Sequence, residues 1–309
     1  MPHPTIPEII TTAIQRALIE AERSHDVKVL LAVESGSRAW GFASPDSDWD
    51  VRFIYVHRPE WYLSIDAKRD VIEAMLPMDI DLAGWDLRKA LQLFRKSNPP
   101  LLEWLRSPLL YTEQYTAAAQ LRQFSTDFFR QVSVSYHYLS MGKRNYANYL
   151  TGEQVRLKKY LYVLRPLLAC DWIANTGTMA PMEFHHLLDA QLPTGPVREA
   201  VDRLLRDKMS GGEMGSAPRD PLLHQWIEQR LAHYAENPPT PSVATDADTA
   251  RLDRLFQDTL KEVWRKELVQ GDAGDKLWVA RSSFRVHRLP HHLTTLRKDI
   301  PPHEPDAFS

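Results

Sequence analysis

An α+β chain, with a small mixed sheet flanked by helices and a helical domain after it, follows from three features of the sequence. Residues 29–33 and 50–56 are apolar, β-branched runs with the length and period of strands. Residues 78–85, Met-Asp-Ile-Asp-Leu-Ala-Gly-Trp, alternate acidic and apolar side chains as a half-buried strand does. From Thr112 onward the apolar spacing turns helical almost throughout.

Taken in order, residues 7–24 form an amphipathic helix with Ile9, Ile10, Ile14, Leu18 and Ala21 on one stripe, placed to cover the sheet. The strand at 29–33 is broken by Glu34-Ser35-Gly36-Ser37, where the backbone must turn tightly. Arg38-Ala39-Trp40 reads as the first turn of a short helix, which sets the Gly36 and Ser37 amides at a helix N-terminus, an anion site. On the next strand the period of two sends Asp48 and Asp50 to one face and Trp49 to the other. A polar excursion spans 58–69, and the third strand then carries Asp79 and Asp81 on one face. Asp86 reads as the N-cap of a helix over 87–96 that stops ahead of Asn98-Pro99-Pro100.

Further helices are expected at 114–131, 152–172, 183–188, 195–209 and 221–236, with a Gly-rich loop at 210–216 and a Pro-rich linker at 237–241. One more amphipathic helix spans 249–269, with Leu252, Leu255, Phe256, Leu260, Val263 and Trp264 on its apolar face. These divisions give three regions: 1–108, 109–240 and 241–309, the last ending in a basic tail.

Composition narrows the classes. A chain of 309 residues with 43% hydrophobic side chains has material for a packed core and about two domains. The formal net charge of −2 means that contact with a polyanion must come from local patches. The single cysteine, Cys170, excludes an intramolecular disulfide and a thiolate zinc cluster, and its apolar flanks describe an inert buried thiol. The adjacent pairs His185-His186 and His291-His292 send their rings in different directions and make no convincing metal site. No stretch approaches a membrane span and the N-terminus lacks signal-peptide regions, so the expected compartment is the cytoplasm.

Two carboxylates on one face repel each other unless a cation sits between them, and all-oxygen ligation suits Mg²⁺ or Mn²⁺. Asp48 and Asp50 are that pair. Asp81 is the preferred third carboxylate and Asp79 the alternative, because Asp81 lies nearer the strand core. Gly36 permits close backbone approach to a phosphate, and Ser37 offers a hydroxyl and an amide to it. Arg38 either reaches the same phosphates or is solvated.

The order Gly36-Ser37, then Asp48-x-Asp50, then a third Asp on a later strand resembles the signature of the DNA polymerase β-like nucleotidyltransferases. The strings GSRAWGFASPDSDWDVRFIYV and IDLAGWDLRKALQLFRKSNPPLLEWLRSP resemble one branch of them, the RNA repair pathway DNA polymerase β family, over about residues 25 to 175. The resemblance implies a nucleotidyltransferase sheet and catalytic domain in 1–108, completed by the helical domain. It also implies transfer of a nucleoside monophosphate from an NTP to a hydroxyl, with an RNA end as acceptor and two divalent ions held by Asp48, Asp50 and Asp81. In this superfamily a helix after the catalytic core supplies a Lys to the triphosphate, and Lys158 or Lys159 resembles that position.

Two other clusters bear on the acceptor. Tyr136, His137, Tyr138, Lys143, Arg144, Asn145, Tyr146 and Tyr149 interleave aromatic rings with cations, as suits base stacking, although such tyrosines also fill helical seams. The tail from Lys276 to Lys298 carries six Lys and Arg and no Glu, and could follow a phosphate backbone or be solvated. Alternative acceptors are a protein side chain or a small molecule, and a third possibility is a non-catalytic nucleotide sensor.

Overall fold

Helix α1, Glu8–His25, buries Ile10, Ile14, Leu18 and Ala21 at helical spacing and ends where Asp26 turns left-handed. Ile9, expected on the same stripe, is 68% exposed and falls outside it. The structure, a computed structural model, describes residues 6–211, 215–239 and 246–270, with the side chains of 246–248 and 266–270 excepted. The chain divides into two compact units, Met1–Leu268 and Val269–Ser309, and the second lies outside the described residues save for Val269 and Gln270. The basic tail from Lys276 to Lys298 and the pair His291-His292 therefore lie outside the described residues.

After α1 come β1 (Val27–Glu34), the one-turn helix α2 (Gly36–Ala39), β2 (Trp49–His57), α3 (Pro59–Tyr62), β3 (Val71–Leu76), β4 (Ile80–Asp86), α4 (Leu87–Arg95), α5 (Pro99–Trp104) and β5 (Leu110–Glu113). The five strands form one sheet in the order β3-β4-β2-β1-β5. Pairing is antiparallel except between β2 and β4, so the sheet is mixed. Short β5 and helix α5 were not expected, since a four-residue strand and a Pro-led turn carry too little periodicity to be seen.

The two faces of the sheet have separate partners. Val51, Phe53 and Tyr55 of β2 and Ile80 and Leu82 of β4 pack with α1. Ile54 and Val56, one step out of phase, face the helical part of the chain. The even-numbered positions of β2 and odd-numbered positions of β4 therefore point to the helices, and these are the positions of Asp50, Arg52 and Asp81. Gly84 is glycine for a local reason: a Cβ there would stand 2.3 Å from the Phe53 ring.

The helical part comprises α6 (Ala117–Phe128), α7 (Gln131–Tyr149), β6 (Gln154–Arg156), α8 (Lys158–Thr176), α9 (Phe184–Gln191), α10 (Pro196–Met209), β7 (Ser216–Pro218), α11 (Pro221–Glu236) and α12 (Asp246–Gln270). Its core is continuous with the sheet, since Leu31, Val33 and Ile54 share one cluster with Leu121, Leu161 and Leu164, so no break in packing occurs near residue 108. The helix expected from Gly152 starts only at Lys158, because Gln154–Arg156 pair antiparallel with Ser216–Pro218. That pairing is long-range, and local spacing could not reveal it. Among the described residues no helix is long and apolar enough to cross a membrane.

Candidate active site

The cleft opens between the helix-facing side of the sheet and helices α5, α7, α8 and α10. It has a volume of about 970 Å³. Its lining includes Gly36, Ser37, Asp48, Asp50 and Arg52 from the strand side, Trp85 and Trp104 at one wall, and Arg156, Lys158, Tyr162 and Lys208 from the helical side.

The acidic floor is built by backbone pairing. Ser35 N–H donates to the Asp50 carbonyl at 2.8 Å, and Asp50 N–H donates to Glu34 Oε1 at 2.9 Å, so the Gly-Ser turn is tied to the Asp-bearing strand. Gly36 has a left-handed φ of +57°, and a Cβ on it would stand 1.9 Å from Asp50 Oδ2. The turn thus requires glycine twice over, for its conformation and for contact with the carboxylate. Parallel register places Asp50 directly beside Asp81. Arg52 joins them: its Nη2 lies 2.9 Å from Asp50 Oδ1 and 2.8 Å from Asp81 Oδ2. Burial raises the pKa of Asp50, and the charges of Asp81 and Asp48 raise it further against the pull of Arg52.

Asp79 is not a strand residue. With φ of +56° it stands in the turn between β3 and β4, exposed, and its carbonyl accepts from Trp49 N–H at 2.8 Å. The alternation read across 78–85 therefore starts two residues late, at Ile80, because Met78 and Asp79 are both left-handed. Asp48 lines the cleft but is exposed. Among the described residues no group of three or more His, Cys, Asp or Glu side chains is arranged to hold a metal ion. The expected convergence of three carboxylates is thus met only by the Asp50–Asp81 pair, which closes on the Arg52 guanidinium.

Arg38 does not line the cleft. Its guanidinium is buried, stacks 3.5 Å from the Trp49 ring centroid, and donates to the carbonyls of Ser47 and Asp48. It braces the loop that carries Asp48. Ser37 is buried at the cleft wall, at the start of α2.

Opposite the floor, Lys158 lines the cleft, whereas Lys159 holds its ammonium between two rings, 4.1 Å from the Tyr149 centroid and 5.0 Å from that of Tyr162. Tyr162, one turn along α8, lines the cleft, and its pKa is raised by burial and by the charges of Asp50 and Asp48. Beneath it Arg165 forms a buried ion pair with Glu103 at 3.0 Å, between α8 and α5. Tyr138 and Trp40 also donate to that carboxylate. The aromatic and basic cluster of α7 is split accordingly. Tyr138 faces this buried network, Tyr146 donates to Glu228, and Lys143 and Arg144 are exposed.

Glu34, Arg52, Glu103, Tyr162 and Lys208 were not singled out in the sequence. Arg52 was accessible to reading, since it follows Asp50 at the strand period, and Lys208 continues the apolar stripe of Ala200 and Leu204 at i+4 spacing. The geometry is that of an acidic floor facing a basic wall, and residues 10–258 match the RNA repair pathway DNA polymerase beta family.

The chain belongs to that family. It is also 46% identical over 244 residues, 79% of this chain and 94% of the other, to the uncharacterized protein YcgL of Bacillus subtilis (strain 168). Among solved structures, a nucleotidyltransferase-like protein from Exiguobacterium sibiricum 255-15 aligns over 84% of this chain and 91% of that one, at 10% identity and a TM-score of 0.29.

Proposed function

We propose that this member of the RNA repair pathway DNA polymerase beta family is a nucleotidyltransferase that moves a nucleoside monophosphate from an NTP to a hydroxyl, with an RNA end as acceptor. The observation that carries the reading is the packing of Gly36 against the Asp50 carboxylate, with Asp81 beside it in register. A phosphate-binding turn and carboxylates in contact are what attack on a triphosphate needs. The family's name supports RNA as the acceptor class.

The chemistry of the donor set, rather than its spacing in the structure, suits a hard divalent ion. The set is all oxygen, and the mutual repulsion among Asp48, Asp50 and Asp81 favours a cation there. Asp48 and Asp50 would hold Mg²⁺ or Mn²⁺, with Asp81 as third ligand. Bound there, the ion neutralises charge on the triphosphate and lowers the pKa of the attacking hydroxyl.

The chain's own residues do the rest. The Gly36 and Ser37 backbone and the Ser37 hydroxyl take the β and γ phosphate oxygens, and Lys158 meets the same tail from α8. The acceptor oxygen attacks the α phosphorus, the bond from that phosphorus to the α–β bridging oxygen breaks, pyrophosphate leaves, and the hydroxyl proton passes to a floor carboxylate. Arg52 offsets the charge of Asp50 and Asp81.

The test is incubation of the purified full chain with each α-labelled NTP, Mg²⁺ or Mn²⁺, and total cellular RNA. Label transferred to RNA by the wild type and lost with Asp50→Ala supports the reading. Label transferred to protein or to a small molecule would replace the acceptor, and no transfer to any acceptor would remove the activity.

A further inference from the structure

Lys208 stands near the end of α10 on the stripe that buries Ala200, Val201 and Leu204, a place that spacing alone would give to an apolar side chain. It is only 8% exposed and lines the cleft. Among the described residues it has no hydrogen-bond or ion-pair partner. A buried ammonium is tolerated when something offsets its desolvation, and among the described residues no acidic side chain pairs with it. Lys158 is a second cation of the same cleft, and burial together with its charge lowers the Lys208 pKa. Arg156 of β6 lines the cleft beside them. Two ammonium groups that repel each other, one of them buried, are complementary to a ligand carrying several negative charges close together.

We propose that Lys208, with Lys158 and Arg156, forms a polyphosphate-binding wall that grips the triphosphate tail of the nucleotide and makes the cleft select triphosphates over monophosphates. This rests on the nucleotidyltransferase reading above and deepens it, because it names a residue of the helical part as the discriminating group. The position is built by long-range structure. The β6–β7 pair holds Arg156 against Ser216, and a Cβ added to Gly211, just beyond α10, would stand 3.4 Å from the Pro45 ring in the loop that carries Asp48. The basic wall is thereby joined to the acidic floor at the rim.

The experiment is calorimetric titration of the full chain with inorganic tripolyphosphate, with NTPs and with the matching monophosphates, for wild type, Lys208→Met, Lys208→Arg and Ser37→Ala. Lys208→Met is expected to weaken tripolyphosphate and NTP by about tenfold or more, as loss of a charge-assisted contact does, with monophosphate affinity unchanged. Lys208→Arg is expected to retain most of the triphosphate affinity. The ligand-free melting temperature of Lys208→Met should not fall, because an apolar side chain replaces an unpartnered buried cation. Wild-type affinity for tripolyphosphate in Lys208→Met would overturn the proposal, as would an equal loss of mono- and triphosphate accompanied by a lower melting temperature. NTP transfer with an unchanged KM in Lys208→Met would keep the transferase and remove the wall. Lys208-dependent tripolyphosphate binding without transfer to any acceptor would keep the wall and remove the transferase.

Discussion

Gly36 and Asp50 touch: a single added methyl on the glycine would stand 1.9 Å from the carboxylate oxygen Oδ2. Gly36→Ala must therefore push Asp50 off its position and also strain a left-handed backbone, at about 1–2 kcal/mol of stability. Displacing a reacting group by an ångström costs about 10²-fold in rate. The expected outcome is that loss in single-turnover NMP transfer from a protein that still folds, measured beside its melting temperature. Normal transfer by Gly36→Ala would separate the turn from the chemistry.

Arg52 shares one nitrogen between Asp50 and Asp81, and its removal leaves two carboxylates facing each other. Arg52→Met is expected to be less stable than wild type without divalent ions and to gain more in melting temperature when Mg²⁺ is added, since the ion then replaces the guanidinium as counter-charge. Asp50→Ala should lose both the Mg²⁺-dependent shift and the transfer activity while keeping the fold. A thermal response to Mg²⁺ that is the same in wild type, Arg52→Met and Asp50→Ala would rule out the floor as the ion's site.

Both residues show why part of the site can be read in a sequence. The parity of Asp48, Asp50 and Trp49 follows from a strand's period of two, and Asp81 stands out over Asp79 once the strand is centred on Leu82-Ala83-Gly84. The turn at Met78-Asp79 breaks that period through two positive φ angles, which no side-chain pattern announces. Lys158 and Lys159 are adjacent at a helix start, and only the pairing of Gln154–Arg156 with a segment some sixty residues on fixes which of them enters the cleft. Arg38 was placed with two options, and the structure spends it on the Ser47 and Asp48 carbonyls, partners that lie across a loop whose path no local rule predicts.

Glu34 is fully buried at the end of β1 and accepts from Asp50 N–H and the Tyr111 hydroxyl. Burial pushes its pKa up to about 7, against the model-compound 4.5, despite those two hydrogen bonds. The folded state thus keeps a proton that the unfolded chain has released between pH 4.5 and 7, so stability falls as pH rises through that window. The penalty is complete above pH 7 and amounts to about 3 kcal/mol. Glu34→Gln keeps an acceptor for Asp50 N–H and removes the charge, so its unfolding free energy should lack this decline. Urea unfolding of both proteins at pH 5 and pH 8 measures the difference, and parallel pH profiles would show that Glu34 does not titrate there.

The Arg165–Glu103 pair is buried on both sides and supports the cleft from below. Removing one member leaves the other charged and unpaired, so Arg165→Leu should destabilise by about 3–5 kcal/mol. Replacing both, Arg165→Leu with Glu103→Leu, should recover part of that loss, though Tyr138 and Trp40 then lack their acceptor. Denaturant midpoints for the two single variants and the double variant form the cycle that tests it, and purely additive losses would argue against a coupled pair.

The two halves of the cleft are written at different distances along the chain. The carboxylate floor is encoded by the time Asp86 has been synthesised, whereas the cations facing it wait for α8, α10 and the strand at Ser216–Pro218 that ties Arg156 in place. A nascent chain emerging N-terminus first therefore carries the acidic half of the site without its counterpart, and the ribosome must pass Pro218 before the basic half can form opposite it.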